Sequence, residues 1–255
     1  VCIERKAMLS CKSLRELYLP TGLEEIGDWA FAYCSNLETV YLPKRKLVLG
    51  KGIFKECEKL ECICPLLAER KEEKQAGYLL GAVPVKLEVD YLFTPEEVGE
   101  ARWIARFDDR LEFFLYQSDE EGYVKQVYCG EEDIMSNLDI YLAERRRAKA
   151  RLCFMRLIHD VALKEELRDK LRKYLAEHTK GCESEAAWEV TFKERGNEKA
   201  YYEIFIEAGC VTEENYPAIL EEMGEQYPEM KAFLMSYKAQ QMAEEDFFDS
   251  LSLDF

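Results

Sequence analysis

The chain has 255 residues, 48% of them hydrophobic and 34% charged, enough apolar material for one large core or two modest ones under a solvated surface, which excludes the disordered class. A formal net charge of -16 argues against a nucleic-acid binder, because neutralising phosphates needs a basic face. No run approaches the roughly 18 apolar residues of a membrane span, and the opening "VCIERKAMLS" lacks a signal-peptide core, so neither a membrane segment nor export is expected.

The first 67 residues keep a 23-residue beat. "CKSLRELYLP", "CSNLETVYLP" and "CEKLECICPL" align in four columns: Cys11, Cys34, Cys57; Leu14, Leu37, Leu60; Leu17, Val40, Ile63; and Met8, Phe31, Phe54. Such a period predicts stacked turns, each supplying a short strand and a return segment that cannot bury its apolar side alone. Alternation along the strand places Leu17 and Leu19 inward and Tyr18 outward, with Pro20 and Pro43 ending the strands. The cysteine column calls for a small apolar side chain under each turn, so Cys11, Cys34 and Cys57 are expected buried, reduced and metal-free. The rival is a metal site at Cys57, Cys62 and Cys64, joined by Cys34; its C-x4-C-x-C spacing, with no histidine near, is not that of zinc ligands. Ten cysteines without a recognisable disulfide framework suggest a reducing compartment.

The columns resemble the surface-antigen (BspA-like) type of leucine-rich repeat, whose unit reads roughly A-F-x-x-C-x-x-L-x-x-I-x-L-P, over about residues 2 to 65. The resemblance implies an interaction module; repeats of this type are often on the bacterial surface, and related chains without export signals are cytoplasmic. The third repeat departs, with Cys64 read where leucine is expected and Pro65 early, so the stack is expected to end there.

Residues 68–135 read as a connector. "VPVKLEVDYLF" alternates at Val83, Val85, Leu87, Val89, Tyr91 and Phe93 and predicts a strand capping the open stack. "TPEEVGEARWIARF" predicts a helix capped by Thr94 with Pro95 in its first turn. "RLEFFLYQSDEEGYVKQVYCG" fits two helices broken at Ser118 with Glu121 completing a capping box; a hairpin is the alternative.

Residues 136–243 read as helical repeats. Leu163, Leu167, Leu171 and Leu175 mark one helix face, ended by Gly181. "NEKAYYEIFIEAG" and "PEMKAFLMSYK" echo each other at an offset of 32, each the second helix of a pair, with Thr212 capping the later pair. They resemble degenerate ankyrin-type hairpins without the T-P-L-H signature and with Pro217 inside a helix, and more closely the helical tail that follows such leucine-rich repeats in some gut-bacterial proteins. Residues 244–255 form an acidic-hydrophobic tail, expected either to pack loosely or borrow a neighbour's surface, or to fold back as a last helix turn. The fold class is thus an α+β repeat protein: a short leucine-rich-repeat β-solenoid, then a mainly α-helical, ankyrin-like region.

Charge follows these divisions. From 88 to 139 there are 15 acids against four bases, from 144 to 180 12 bases against six acids, and from 213 to 255 11 acids against two bases. Intramolecular complementarity explains the basic block "ERRRAKAR"; a patch for RNA or an acidic partner is the alternative, without interleaved aromatics to support it.

No phosphate loop, nucleophile elbow or metalloprotease motif occurs. His159 reads as a packing or solvent-edge residue, and His178 stands four before Cys182 with Gly181 between them. The expectation is a non-catalytic protein-binding scaffold without cofactor or metal, its partner a protein, with a hydrolase-like enzyme carrying the repeats as a targeting arm as the alternative. A cytoplasmic location is expected, although the chain begins with Val inside a repeat, which leaves a secreted parent open. The candidate partner-binding residues are Tyr18 and Tyr41, expected to form a ladder on the strand face, with Arg15 and Glu38 repeating three positions earlier.

Overall fold

A computed structural model of the chain describes residues 1–68, 70–123 and 137–252, with side chains to residue 240. The 23-residue beat becomes two parallel three-stranded ladders. One joins β1 (Cys2–Ile3), β3 (Glu25–Ile26) and β5 (Val48–Leu49); the other joins β2 (Glu16–Tyr18), β4 (Thr39–Leu42) and β6 (Cys62–Pro65). Leu17 pairs with Val40 and Val40 with Ile63, so this apolar column is a column in space, buried between the turns; of the column of Met8, Phe31 and Phe54, Met8 is exposed. Phe31 and Phe54 stack at 5.5 Å on the far side of the coil.

Between the ladders the backbone repeats a second pattern. Lys6, Trp29 and Gly52 share a φ near +58° (59°, 58° and 58°), as do Ser10, Tyr33 and Glu56 (61°, 61° and 57°). These left-handed residues turn alternate amides toward the next turn. The N–H groups of Lys6, Met8 and Ser10 donate to the carbonyls of Asp28, Ala30 and Ala32, and those of Trp29, Phe31 and Tyr33 donate to Lys51, Ile53 and Lys55. Stacking is therefore held by main-chain bonds as well as by apolar contact.

The cysteine column has the same logic. The Cys34 thiol donates to the Met8 carbonyl and the Cys57 thiol to that of Phe31, both at 3.2 Å, and both residues are buried. Cys11 does not follow the expectation: it is exposed, and among the described residues no carbonyl accepts from its thiol. The third strand also differs from expectation. It stays in register, with Cys64 opposite Tyr41 and Pro65 opposite Leu42, so Cys64 holds the outward column and not a leucine position. Cys62 and Cys64 then share one strand face, and their sulfurs are joined across a Cα separation of 5.8 Å, against the expectation of free thiols.

The cap after the third turn is helical, not the predicted strand. α1 (Lys71–Ala82) runs into a π-helical turn over Val83–Leu87 and a 3-10 turn over Asp90–Leu92. Leu79, Leu80, Val83 and Leu87 are buried at helical spacing, and this set outweighs the period-two reading of Val83, Val85 and Leu87. α1 packs on β6, and a Cβ on Gly81 would stand 2.5 Å from the Glu61 carbonyl oxygen.

α2 (Ala101–Tyr116) begins six residues later than Thr94 predicts, because Gly99 at φ +85° redirects the chain first; Thr94 instead bonds the Glu97 carboxylate. At its far end the Ser118 hydroxyl accepts the Glu120 N–H, and the second predicted helix runs into residues 124–136, outside those described. α3 (Leu138–Ile158) carries the basic block. Lys149, buried, donates to Asp119 and to the Gln117 carbonyl; Arg146 also reaches Asp119, and Arg147 and Arg151 share Glu144. Burial would raise the Asp119 carboxyl, but the bonds from Lys149 and Arg146 hold it below its usual range. These bases are thus engaged within the chain.

The molecule divides into two compact units, Val1–Asp169 and Lys170–Phe255. The division falls within α4 (Glu165–Glu177), whose Leu167, Leu171 and Leu175 are buried as predicted, while Leu163, expected on the same face, lies before the helix and is half-buried. The second unit contains α5 (Ala186–Glu189) with a π-helical continuation to Glu194, α6 (Lys199–Glu207), α7 (Tyr216–Met223) and α8 (Pro228–Ser252). Its core is aromatic: Trp188 stacks on Phe192 at 5.0 Å and meets Phe205 at 5.6 Å. Thr212 and Asn215 exchange hydrogen bonds ahead of α7, and Pro217 sits in the first turn of that helix, where its missing N–H costs nothing. The tail is helical in backbone to Ser252, while the packing of its side chains lies outside the described residues.

Candidate partner-binding face

The outward column of the second ladder places Tyr18 beside Tyr41. Their rings stack at 4.4 Å with planes 9° apart, closer than the strand spacing alone requires. Tyr18 is 63% exposed, one of the most accessible large hydrophobic side chains of the described residues, and its hydroxyl donates to Glu16, two positions earlier on the same face. Arg15 and Glu38 stand just before their strands, both exposed, and the Arg15 carbonyl accepts the N–H groups of Glu38 and Thr39. A second polar column lies nearby: Asn36 donates to the Lys12 carbonyl and accepts from Lys59.

The face is bounded on one side. Cys64, the third member of the tyrosine column, is buried against α1, with its sulfur 2.9 Å from the place a Cβ on Gly77 would take. The ladder therefore has two aromatic rungs and then a wall. The 23-residue spacing of Gly-free strand positions could reveal the two rungs; nothing in it announced the wall, which depends on "GYLLG" placing Gly77 and Gly81 one helical turn apart.

The groups weighed for chemistry are placed elsewhere. His159 ends α3 and stacks on Tyr78 at 3.8 Å; burial, helped by the Lys86 charge, lowers its pKa to about 4. His178 stacks on Tyr174 at 4.1 Å with Nδ1 at 2.8 Å from the Tyr174 carbonyl, and the Cys182 thiol faces the Ala176 carbonyl. Burial pushes the thiols of Cys57, up to about 12, and Cys210 upward, which leaves both protonated and unreactive at neutral pH. Among the described residues no three His, Cys, Asp or Glu side chains cluster as metal ligands would, and no helix is long and apolar enough to cross a membrane.

Comparison with known families agrees with the geometry of the ladders. Residues 1–65 match the BspA type leucine rich repeat region (6 copies). The matched segment ends at Pro65, the last residue of β6, so the leucine-rich repeats and the stacked ladders coincide. No curated protein and no solved structure matches the chain.

Proposed function

We propose that the chain is a non-catalytic protein-binding scaffold whose repeat region presents Tyr18 and Tyr41, flanked by Arg15 and Glu38, to a protein partner. Leucine-rich repeats generally mediate protein–protein interaction, and the observation that carries the reading here is the exposed stacked pair itself. Two rings held flat against each other give a rigid apolar area with two hydroxyl tips, and charges of both signs stand beside them; tyrosine and arginine are enriched at binding hot spots for this reason. Support also comes from the histidines: His159 is packed and hard to protonate, and the ring of His178 faces a carbonyl of its own helix.

The ankyrin-like reading of the helical hairpins, resting on the 32-residue echo, belongs to this proposal, as does a bacterial origin. So does a cytoplasmic location, which the free thiols of Cys34, Cys57 and Cys210 support and which thiol trapping in intact cells tests.

The test of the binding face is site-specific photocrosslinking in native extract. A benzoylphenylalanine at Tyr18 should capture a protein that one at Tyr116, 71% exposed on α2, does not. Changing both Tyr18 and Tyr41 to serine should reduce capture by the intact chain about tenfold or more, the weight of one hot-spot residue or two. Unchanged capture by the double variant would move the partner off this face.

A further inference from the structure

The third turn of the stack ends in main-chain donors that meet no acceptor among the described residues. Gly52, Phe54 and Glu56 continue the columns of Lys6, Met8 and Ser10 and of Trp29, Phe31 and Tyr33, whose amides each donate to a carbonyl of the following turn. Among the described residues no acceptor stands opposite the three amides of the third turn. In place of a fourth turn there is an open cleft of about 640 Å³. Its near wall is the edge of the third turn, including Ile53 and Phe54; its far wall is the segment after α1, with Pro84, Val85, Val89 and Phe93. Phe93 meets Phe54 edge-on at 6.0 Å and closes one end.

We propose that this cleft is a second binding site, which takes an extended, basic peptide segment of a protein partner in the position of a fourth turn. The backbone dictates the class of ligand. Three donors spaced two residues apart need three carbonyls with the same spacing, which a length of polypeptide supplies and a compact small molecule does not. The walls suit apolar side chains at alternate positions. Charge sets the sign: Glu56, Glu58, Glu88 and Asp90 line the cleft against Lys51 and Lys55 alone. The site stands apart from the tyrosine pair, since neither ring lines the cleft, and either can exist without the other.

The chain itself provides a probe. Residues 49–56, "LGKGIFKE", already fill this role on the second turn, their carbonyls at Lys51, Ile53 and Lys55 accepting from Trp29, Phe31 and Tyr33. A fluorescein-labelled peptide of that sequence, titrated with the full chain, should show saturable polarisation. Val85→Trp, which fills the cleft, and the pair Glu88→Lys with Asp90→Lys, which reverses its charge, should each weaken binding at least fivefold while the circular-dichroism melting curve stays unchanged. In hydrogen exchange the peptide should protect the amides of Gly52, Phe54 and Glu56 and leave those of Lys6 and Met8 as they were. No polarisation change up to about 1 mM protein would overturn the site. Protection elsewhere, affinity indifferent to all three substitutions, or self-association of the chain that protects the same amides without peptide would overturn it equally.

Discussion

Gly77 and Cys64 meet with no room for a methyl group between them: a Cβ on Gly77 would lie 2.9 Å from the Cys64 sulfur and 3.1 Å from that of Cys62. One turn on, Gly81 is tighter still, and its obstacle is main chain, the carbonyl of Glu61 and the nitrogen of Cys62. A helix can lie this close to a strand only through such a pair of small residues. Gly→Ala inside a helix ordinarily gains ~1 kcal/mol of propensity. Here Gly81→Ala should nevertheless lower stability by about 1–3 kcal/mol, since the backbone of β6 must shift, and Gly77→Ala by less, because its nearest neighbours, the joined sulfurs of Cys64 and Cys62 and the Cys64 Cα, stand at 2.9 to 3.1 Å and not at 2.5 Å. Urea unfolding of the two variants checks both the sign and the order.

The cysteine column makes a graded prediction. Cys34 and Cys57 are enclosed, with their thiols bonded to carbonyls of the turn below, whereas Cys11 is exposed. Changing Cys34 or Cys57 to Asp strands a charge in the coil and should cost on the order of 3 kcal/mol or more. Cys11→Asp should cost under about 0.5 kcal/mol, as a surface change does. A thiol reagent applied to the folded protein should modify Cys2 and Cys11 quickly, and Cys34, Cys57, Cys153 and Cys210 only at the rate of opening. Labelling of all at one rate would contradict the burial pattern.

What could be read from the sequence was what recurs. A column such as Leu17, Val40 and Ile63 states its burial three times over, and alternation of Tyr18 between Leu17 and Leu19 fixes its face. The misreadings fall mostly on features that occur once. The capping segment satisfied a strand pattern at Val83, Val85 and Leu87 and a helical one at Leu79, Val83 and Leu87; the choice is made by α1, whose glycines let it press on β6, and that contact is tertiary. Cys11 belongs to the column in sequence and is nevertheless exposed, since burial comes from the neighbouring turns and not from the residue itself. Thr94 and Pro95 do form a turn, yet the helix waits for Gly99. The tyrosine face was legible for the same reason as the core, and the cleft was not, because it is defined by amides, which carry no residue identity.

His159 should give stability a pH dependence of its own. Its folded pKa of about 4 lies below the ordinary 6.5, the result of burial against Tyr78 and of the Lys86 charge, with Glu61 pulling the other way. The unfolded chain therefore takes up the proton first as pH falls. The contribution of this group is complete above 6.5 and is lost between 6.5 and 4. Partial exposure of the ring trims the full shift, leaving about 2 kcal/mol to be lost between neutral pH and about 4.5. His159→Gln should remove that portion of the acid sensitivity. Urea midpoints of both proteins at the two pH values decide it, and parallel pH profiles would reject the assignment.

The buried pair of Arg156 and Asp108 sets apart breaking an interaction from replacing it. Arg156, on α3, is fully enclosed, and its guanidinium grips Asp108 of α2 through two bonds of 2.7 and 3.1 Å while also donating to the carbonyls of His159 and Val161. Burial pushes the Asp108 carboxyl up against the pull of Arg156, so the ions are held together at a desolvation cost. Asp108→Leu leaves a buried cation with only carbonyls to face and should cost about 3–5 kcal/mol. Arg156→Met alone strands the carboxyl and releases the two carbonyls, with a loss of similar size. With Asp108→Leu and Arg156→Met together no charge remains, and the loss should be well below the sum of the two single changes, about 2 kcal/mol for the carbonyls left without their donor. A double-mutant cycle in urea measures the difference, and additive losses would mean that the two side chains do not act as a pair.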